Sequence, residues 1–184
     1  MANTEVFVHG TSYKAQSLKP RVIYPSADEL YINSLDYMGD GSTTFYAGDL
    51  IRINTSGQVK AAAVDTTTAG AVHGMILQDY PVAPTITTPV PVVLFDRHTI
   101  IRIQVYDGTD TNAVPSNFAV GATYTLVKGT LGNWCITTTT TNGVATIARM
   151  PYNSTNADVM LGSGIINGLV DVLFSAAILD GRAA

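Results

Sequence analysis

The chain has 184 residues, a formal net charge of −4 and 13% charged residues, about half the usual charged fraction of a soluble domain, while its 46% hydrophobic fraction is ordinary. This length allows one domain with a sizeable core, or two very small ones. The weak negative charge without a basic cluster argues against a nucleic-acid partner, and the single cysteine, Cys135, excludes an intrachain disulfide scaffold.

Threonine dominates the composition, with 24 Thr against four Lys and two Glu. Threonine suits a pleated sheet, whereas Lys and Glu favour helices, so we expect an all-β protein. A surface poor in charge is also weakly repelled by a partner, which favours burial in a large assembly. The alternative is a slightly acidic secreted β-domain.

The first 29 residues show short apolar runs separated by Gly, Lys and Pro without a sustained period. We interpret 1–29 as an extended N-terminal arm and 30–184 as a single β domain; a pair of edge strands is the alternative for the arm. Glu29 to Met38 fits either a strand or a short helix.

Strands are predicted where apolar residues alternate or run together between turn signals. The hairpin turn at 54–57 is marked by Asn and Gly, and Gly74 indicates a bulge or a close backbone approach. Asp96, Arg97 and His98 are assigned to the turn between two of the strands. The predicted strands are 43–46, 50–53, 58–63, 71–77, 92–95, 99–106, 124–127, 134–137 and 145–150.

Turn signals every 8 to 12 residues predict a small β-barrel or a β-sandwich, jelly-roll-like in its general plan. The apolar segment 165–179 either closes the sheet or docks on it. A helix is possible there, but Val170, Val172 and Phe174 favour a strand.

No enzyme signature occurs: there is no nucleophile elbow, Gly-rich phosphate loop or Cys-x-x-Cys pair. His9, His73 and His98 lack a metal-binding spacing. Asp107, Asp110 and Asn112 lack the pattern of a calcium loop. We therefore expect no catalysis, no cofactor and no metal.

Carbohydrate-binding modules and secreted or membrane proteins are two further classes of protein to compare with this sequence. A carbohydrate-binding module would need exposed aromatic side chains, and Trp134 beside Tyr124 are the candidates, although a core pair is the simpler interpretation. Residues 1–5 lack the basic start of a signal peptide, and no apolar run reaches about 20 residues. We expect synthesis in a cytoplasm and no membrane partner.

Three segments, 48–53, 56–62 and 71–77, form a Gly-Asp strand, a hairpin turned at glycine and a strand that contains glycine. Residues 120–126 and 132–134 echo this pattern later in the chain. Together they resemble the head decoration, or capsid cement, proteins of tailed bacteriophages over about half the chain. The long N-terminal region and the apolar C-terminal segment depart from the smallest members.

The resemblance implies a structural virion protein on the outer capsid surface that holds neighbouring major capsid proteins together, often as a trimer. A tail, baseplate or head-fibre component is the alternative within structural proteins. Contacts with the capsid or between copies are expected from the arm and from a proline-rich outer edge, where strand addition to a neighbour is available. The residues concerned are Val6, Phe7, Val8, Pro81, Pro84, Pro89 and Pro91.

Overall fold

A computed structural model describes eight ranges of the chain: 19–24, 32–33, 37–62, 72–106, 113–128, 133–141, 143–150 and 167–174. Within these ranges the protein is all-β, with one 3-10 turn at Pro115–Asn117 and no α-helix. The strands are β1 (Arg21–Tyr24), β2 (Ile32–Asn33), β3 (Met38–Gly39), β4 (Leu50–Ile53), β5 (Gln58–Ala61), β6 (Gly74–Ile76), β7 (Val92–Leu94), β8 (Ile100–Val105), β9 (Thr123–Tyr124), β10 (Leu126–Lys128), β11 (Trp134–Ile136), β12 (Ala145–Arg149) and β13 (Leu169–Phe174).

Seven strands form a nearly closed barrel in the order β10-β11-β8-β13-β12-β9, with β1 also paired to β8. The two ends of this order, β9 and β10, are separated in the chain by one residue, Thr125. The backbone N–H of Thr125 donates to the carbonyl of Thr139 (2.9 Å), and its carbonyl accepts from Thr137 (3.0 Å). One continuous segment therefore closes the barrel, which covers edges that an open sheet would expose.

Strand β8 organises the barrel because it pairs with three strands. One edge carries β13 in antiparallel register, while the other edge is shared by β1, antiparallel, and β11, parallel. Its alternation places Ile101, Ile103 and Val105 in the core and Arg102 on the opposite face.

The other six strands form a curled half-barrel in the order β2-β7-β6-β4-β5-β3. Its β4–β5 hairpin turns as predicted at 54–57: Gly57 has a φ of +74° and donates to the carbonyl of Asn54 at 3.0 Å. At the end of the sheet, Met38 forms a bridge with Pro89, so β3 also contacts the segment that leads into β7.

Two cores lie on opposite faces of the half-barrel. On β4, β6 and β7, Leu50, Met75 and Val93 belong to the large core of the barrel. The intervening neighbours point the other way and pack with Phe45 in a smaller second core, whose buried members include Ile51, Ile53, Val59, Ile76, Val90 and Val92. Because both faces are apolar, these strands read as continuous apolar runs in the sequence rather than as alternating ones.

The predicted all-β barrel is confirmed, and most predicted strands lie within one or two residues of the observed bounds. The strand predicted at 43–46 is wrong, since Phe45 makes only an isolated bridge to Tyr80. Gly41 and Gly48, with φ angles of +76° and +91°, place turns on both sides of this stretch.

Three open questions of the sequence receive partial answers. In 29–38, Ile32, Asn33 and Met38 lie in strands, whereas Tyr37, the other described residue, does not. In 165–179, Leu169–Phe174 is a strand, as its β-branched residues favoured. Within 1–29, Arg21–Tyr24 pairs with β8, so the edge-strand alternative applies to these four residues.

Candidate functional site

The proline-rich segment between β6 and β7 is the part of the predicted contact surface that the structure describes. Pro81 and Pro89 are exposed, Pro91 is half-buried and Pro84 is buried. The other predicted contact residues, Val6, Phe7 and Val8, lie outside the described residues.

Hydrogen bonds attach this segment to the residues around β3. The N–H groups of Gly39 and Gly41 donate to the carbonyls of Thr88 (3.1 Å) and Pro84 (3.0 Å), and the N–H of Val90 donates to Tyr37 (2.9 Å). These backbone groups are therefore already paired within the chain. A partner would have to use side chains or other backbone positions there rather than add a strand.

The segment also displays large apolar side chains to solvent. Val82 is 80% exposed and Ile86 is 63% exposed. Leu77 (39%), which follows β6, and Tyr46 (50%), next to the Phe45 that bridges to Tyr80, are also exposed. We call these four residues the rim patch. Sequence reasoning selected the prolines and missed the rim patch, although two apolar residues in a loop of Pro and Thr were the available signal.

Several contacts hold the rim patch in a defined arrangement. Phe45 and Tyr80 exchange two backbone hydrogen bonds (3.1 and 2.7 Å), and the N–H of Ala47 donates to Oδ1 of Asp79 (2.7 Å). These bonds bring the stretch that carries Tyr46 against the stretch that carries Leu77 and Val82. The rim patch is thus built from two chain segments that are over 30 residues apart in the sequence.

A tight turn presents Ile86. The N–H of Thr88 donates to the carbonyl of Thr85 (3.0 Å), and the hydroxyl of Thr85 lies 2.8 Å from that of Thr88 and 3.1 Å from that of Thr87. The hydroxyl of Tyr80 donates to the carbonyl of Pro89 (3.3 Å), and partial burial raises the pKa of Tyr80. Side-chain hydrogen bonds therefore hold both the turn and Pro89, which follows it.

Asp40 anchors the loop that follows β3. Its carboxylate accepts hydrogen bonds from the backbone and hydroxyl groups of both Ser42 and Thr43, at 2.7 to 2.9 Å. Burial alone raises the pKa of Asp40, but these hydrogen bonds outweigh burial and lower the pKa from 3.8 to about 2. The loop that supports the proline-rich segment is thus stabilised by an ionised carboxylate.

The two described histidines, His73 and His98, do not form a common site. Nδ1 of the buried His73 accepts from the N–H of Ile53 (2.9 Å), and His98 lies exposed in its turn, 3.9 Å from Asp96. No group of three His, Cys, Asp or Glu residues that could hold a metal occurs in the described ranges. His9 and the loop residues Asp107, Asp110 and Asn112 lie outside them.

The aromatic pair considered for sugar binding lies in the barrel core. Trp134 is fully buried and Tyr124 is 6% exposed, and Tyr124 packs edge-on against Phe118 with ring centroids 4.8 Å apart. Neither ring can stack on a glycan in this structure. Both rings therefore lie in the core, as the simpler interpretation held, although the ring that packs on Tyr124 is Phe118.

Comparison with protein-family models, curated proteins and solved structures found no match. Among the described residues, no helix is long and apolar enough to cross a membrane.

Proposed function

We propose that this chain is a non-enzymatic structural protein of a tailed-phage virion, a decoration or cement protein of the head. In this proposal it binds the outer capsid surface, stabilises contacts between major capsid proteins and acts as a homo-oligomer, with a trimer favoured. The observation that carries the proposal is the rim patch, Tyr46, Leu77, Val82 and Ile86.

The rim patch offers apolar area that would gain from leaving water. Burying a Val or Ile side chain fully contributes roughly 1.5 to 3 kcal/mol. Val82 and Ile86 are the most exposed large apolar residues described. Contiguous apolar surface is typical of interaction sites, and in this proposal the rim patch forms part of such a surface.

The hydrogen bonds around the patch make it suitable for docking. Because the chain between Asp79 and Val90 is tied to two other segments, little conformational entropy is lost when a partner binds. The barrel is nearly closed by its own chain, which limits indiscriminate pairing through the edges of this sheet.

Cement action needs only modest affinity per copy. A protein that binds the assembled shell and not its separated subunits stabilises the shell by mass action, and many copies multiply the effect. The low charge of the chain, 13% Asp, Glu, Lys and Arg, reduces the cost of stripping water from the contact surface.

The test is co-sedimentation with heads purified from the source of this chain. We expect the wild type to sediment with intact heads in hundreds of copies per particle. The double variant Val82→Asp/Ile86→Asp should bind at least about tenfold more weakly, since it places charges on apolar area that would be buried when the partner binds. Val120→Asp is the matched control, because Val120 is 61% exposed outside the proline-rich segment.

Two results would count against the proposal. Absence of the wild-type chain from the head fraction would contradict head binding. A copy number of a few to a few dozen would favour a tail, baseplate or fibre component instead.

Deleting residues 1–18, which end before β1, tests the arm separately: occupancy should fall while the barrel remains folded.

A further inference from the structure

A charged feature lies on the outer face of the barrel, in a different sheet from the β6 and β7 strands that flank the proline-rich segment. Asp171 of β13 stands opposite Arg102 of β8 on one side and opposite Arg149 of β12 on the other. Their strand neighbours Ile101 and Val172 belong to the core, so these charged side chains point outward. We call Arg102, Asp171 and Arg149 the arginine row.

A β-bulge creates this row. Ile147 pairs with Val172 and Arg149 pairs with Asp171, so Ala148 is an extra residue in β12. Without the extra residue, Arg149 would share the inward face of Ile147, since side chains two apart on a regular strand point the same way. The bulge turns Arg149 outward and places it beside Asp171.

The carboxylate of Asp171 accepts three hydrogen bonds from two arginines. Its Oδ1 accepts from Nε of Arg102 (2.7 Å), and its Oδ2 accepts from Nη2 of Arg102 (3.1 Å) and from Nε of Arg149 (2.8 Å). Asp171 is fully buried, Arg102 is 13% exposed and Arg149 is 54% exposed. Two guanidinium groups share one carboxylate, so one positive charge is uncompensated within the row.

That excess charge lies at Arg149. Its hydrogen bond to Asp171 uses Nε, and the described part of the chain supplies no hydrogen-bond partner to Nη1 or Nη2. A guanidinium group presents a planar fork of donors that fits a carboxylate with two parallel hydrogen bonds. Because Asp171 already restrains the side chain, a second carboxylate would bind a partly ordered group.

We propose that Arg149 is the anchor for an Asp or Glu side chain of the protein that this chain binds. The proposal deepens the proposed function and rests on it for the identity of the partner as a capsid subunit. A polyanion such as nucleic acid is less suited to the row, because it needs several neutralised phosphates and would meet a chain of net charge −4.

The first experiment compares head binding of Arg149→Gln with that of Arg97→Gln. Arg97 is an exposed arginine in the turn before β8, so the control removes the same charge elsewhere. We expect Arg149→Gln to bind heads about tenfold or more weakly and Arg97→Gln to bind as the wild type does. Arg149→Lys should recover only part of the loss, since it keeps the charge but not the fork.

If the wild type binds heads and Arg149→Gln binds equally well, the carboxylate anchor is overturned and the proposed function stands. Arg102 still pairs with Asp171 in this variant, and thermal unfolding compared with Arg97→Gln checks that a weaker result does not reflect unfolding.

If the wild type does not bind heads, the proposed function fails, and a hexaglutamate titration decides the anchor. Arginine Nε–H resonances are followed at low salt. Chemical-shift changes centred on Arg149 support the site if they are absent in Arg149→Gln. They should also vanish at 0.5 M salt, where a Debye length of about 4 Å screens the attraction. Absent or scattered shifts overturn it, as would tighter binding of an oligothymidylate of equal charge.

Discussion

The Nζ atom of Lys128 lies 3.5 Å from Oδ2 of Asp49, and this ion pair joins the barrel to the half-barrel. Lys128 ends β10, and Asp49 immediately precedes β4. The same Nζ lies 5.5 Å from the ring centroid of Trp134, and Oδ2 of Asp49 also accepts from the N–H of Tyr46 (3.0 Å). The pair therefore connects the barrel core to the residue stretch that carries part of the rim patch.

Lys128→Met should lower the free energy of unfolding by about 1 to 2 kcal/mol, because it leaves the largely buried Asp49 carboxylate without its cation. Urea unfolding measures the change. A double-mutant cycle with Asp49→Asn should give a coupling of about 1 kcal/mol, and Lys60→Met on β5, as the control, should change stability by less than about 0.5 kcal/mol. Equal effects of the two lysine variants would contradict the assigned role.

Asp171→Asn should cost about 3 kcal/mol or more, since it leaves the nearly buried Arg102 without a counter-charge. Arg149→Gln should cost about 1 kcal/mol or less, because Arg149 is half exposed and Arg102 remains paired with Asp171. Urea unfolding of both variants measures this order. The reverse order would show that Arg149, and not Arg102, compensates the buried carboxylate.

Gly74→Ala should reduce stability by about 3 kcal/mol or prevent folding, because the added Cβ would overlap the carbonyl oxygen of Val93 on the neighbouring strand β7. Gly41→Ala is the control. Its Cβ would meet no atom within 4 Å, so only the strain of a φ of +76°, about 1 kcal/mol, remains. Thermal unfolding of the two variants distinguishes overlap from backbone strain.

Acid should loosen the loop after β3. The folded-state pKa of Asp40 is about 2, below its ordinary value of 3.8, so its ionised form stabilises the fold above pH 4 and this contribution is lost as the pH falls from about 4 to about 2. Because Asp40 is partly exposed, we expect at most about 1 kcal/mol. Carboxyl NMR titration measures the pKa, and Asp40→Asn should remove the loss of stability in this window. An Asp40 pKa near 4 would contradict the expectation.

Trp134 provides a direct probe of the barrel, because it is the single tryptophan and is fully buried. We expect native emission at short wavelength, with weak quenching by acrylamide that becomes strong on unfolding. Added glycans should leave it unchanged, since the ring is not accessible to a sugar. Strong quenching of the native protein would reopen the carbohydrate-binding interpretation.

Local pattern predicted much of the fold. Thr and β-branched residues between turn signals indicated the strands, and the Asn-Gly pattern at 54–57 indicated the hairpin turn that the structure contains. Of the two alternatives for Gly74, a bulge or a close backbone approach, the structure shows the close approach, because only a residue without Cβ fits against Val93. These features depend on residues near one another in the chain.

The candidate surfaces were predicted less well, because they depend on contacts between distant segments. The rim patch exists only once Phe45 and Tyr80 pair, and Arg149 joins Asp171 only because a bulge at Ala148 changes the face it occupies. A one-residue bulge leaves almost no mark in the pattern of apolar residues. The functional class that the resemblance implied stays a prediction.

The sequence by itself determined that this is a β protein of low charge, with short strands following one another along the chain. Tertiary structure alone decided that β7 and β8, joined by the short turn at 96–98, enter different sheets, and that the segment around Thr125 closes the barrel. The physical reason is that strand propensity is local, whereas the choice of pairing partner depends on which apolar faces can be buried together across the whole chain.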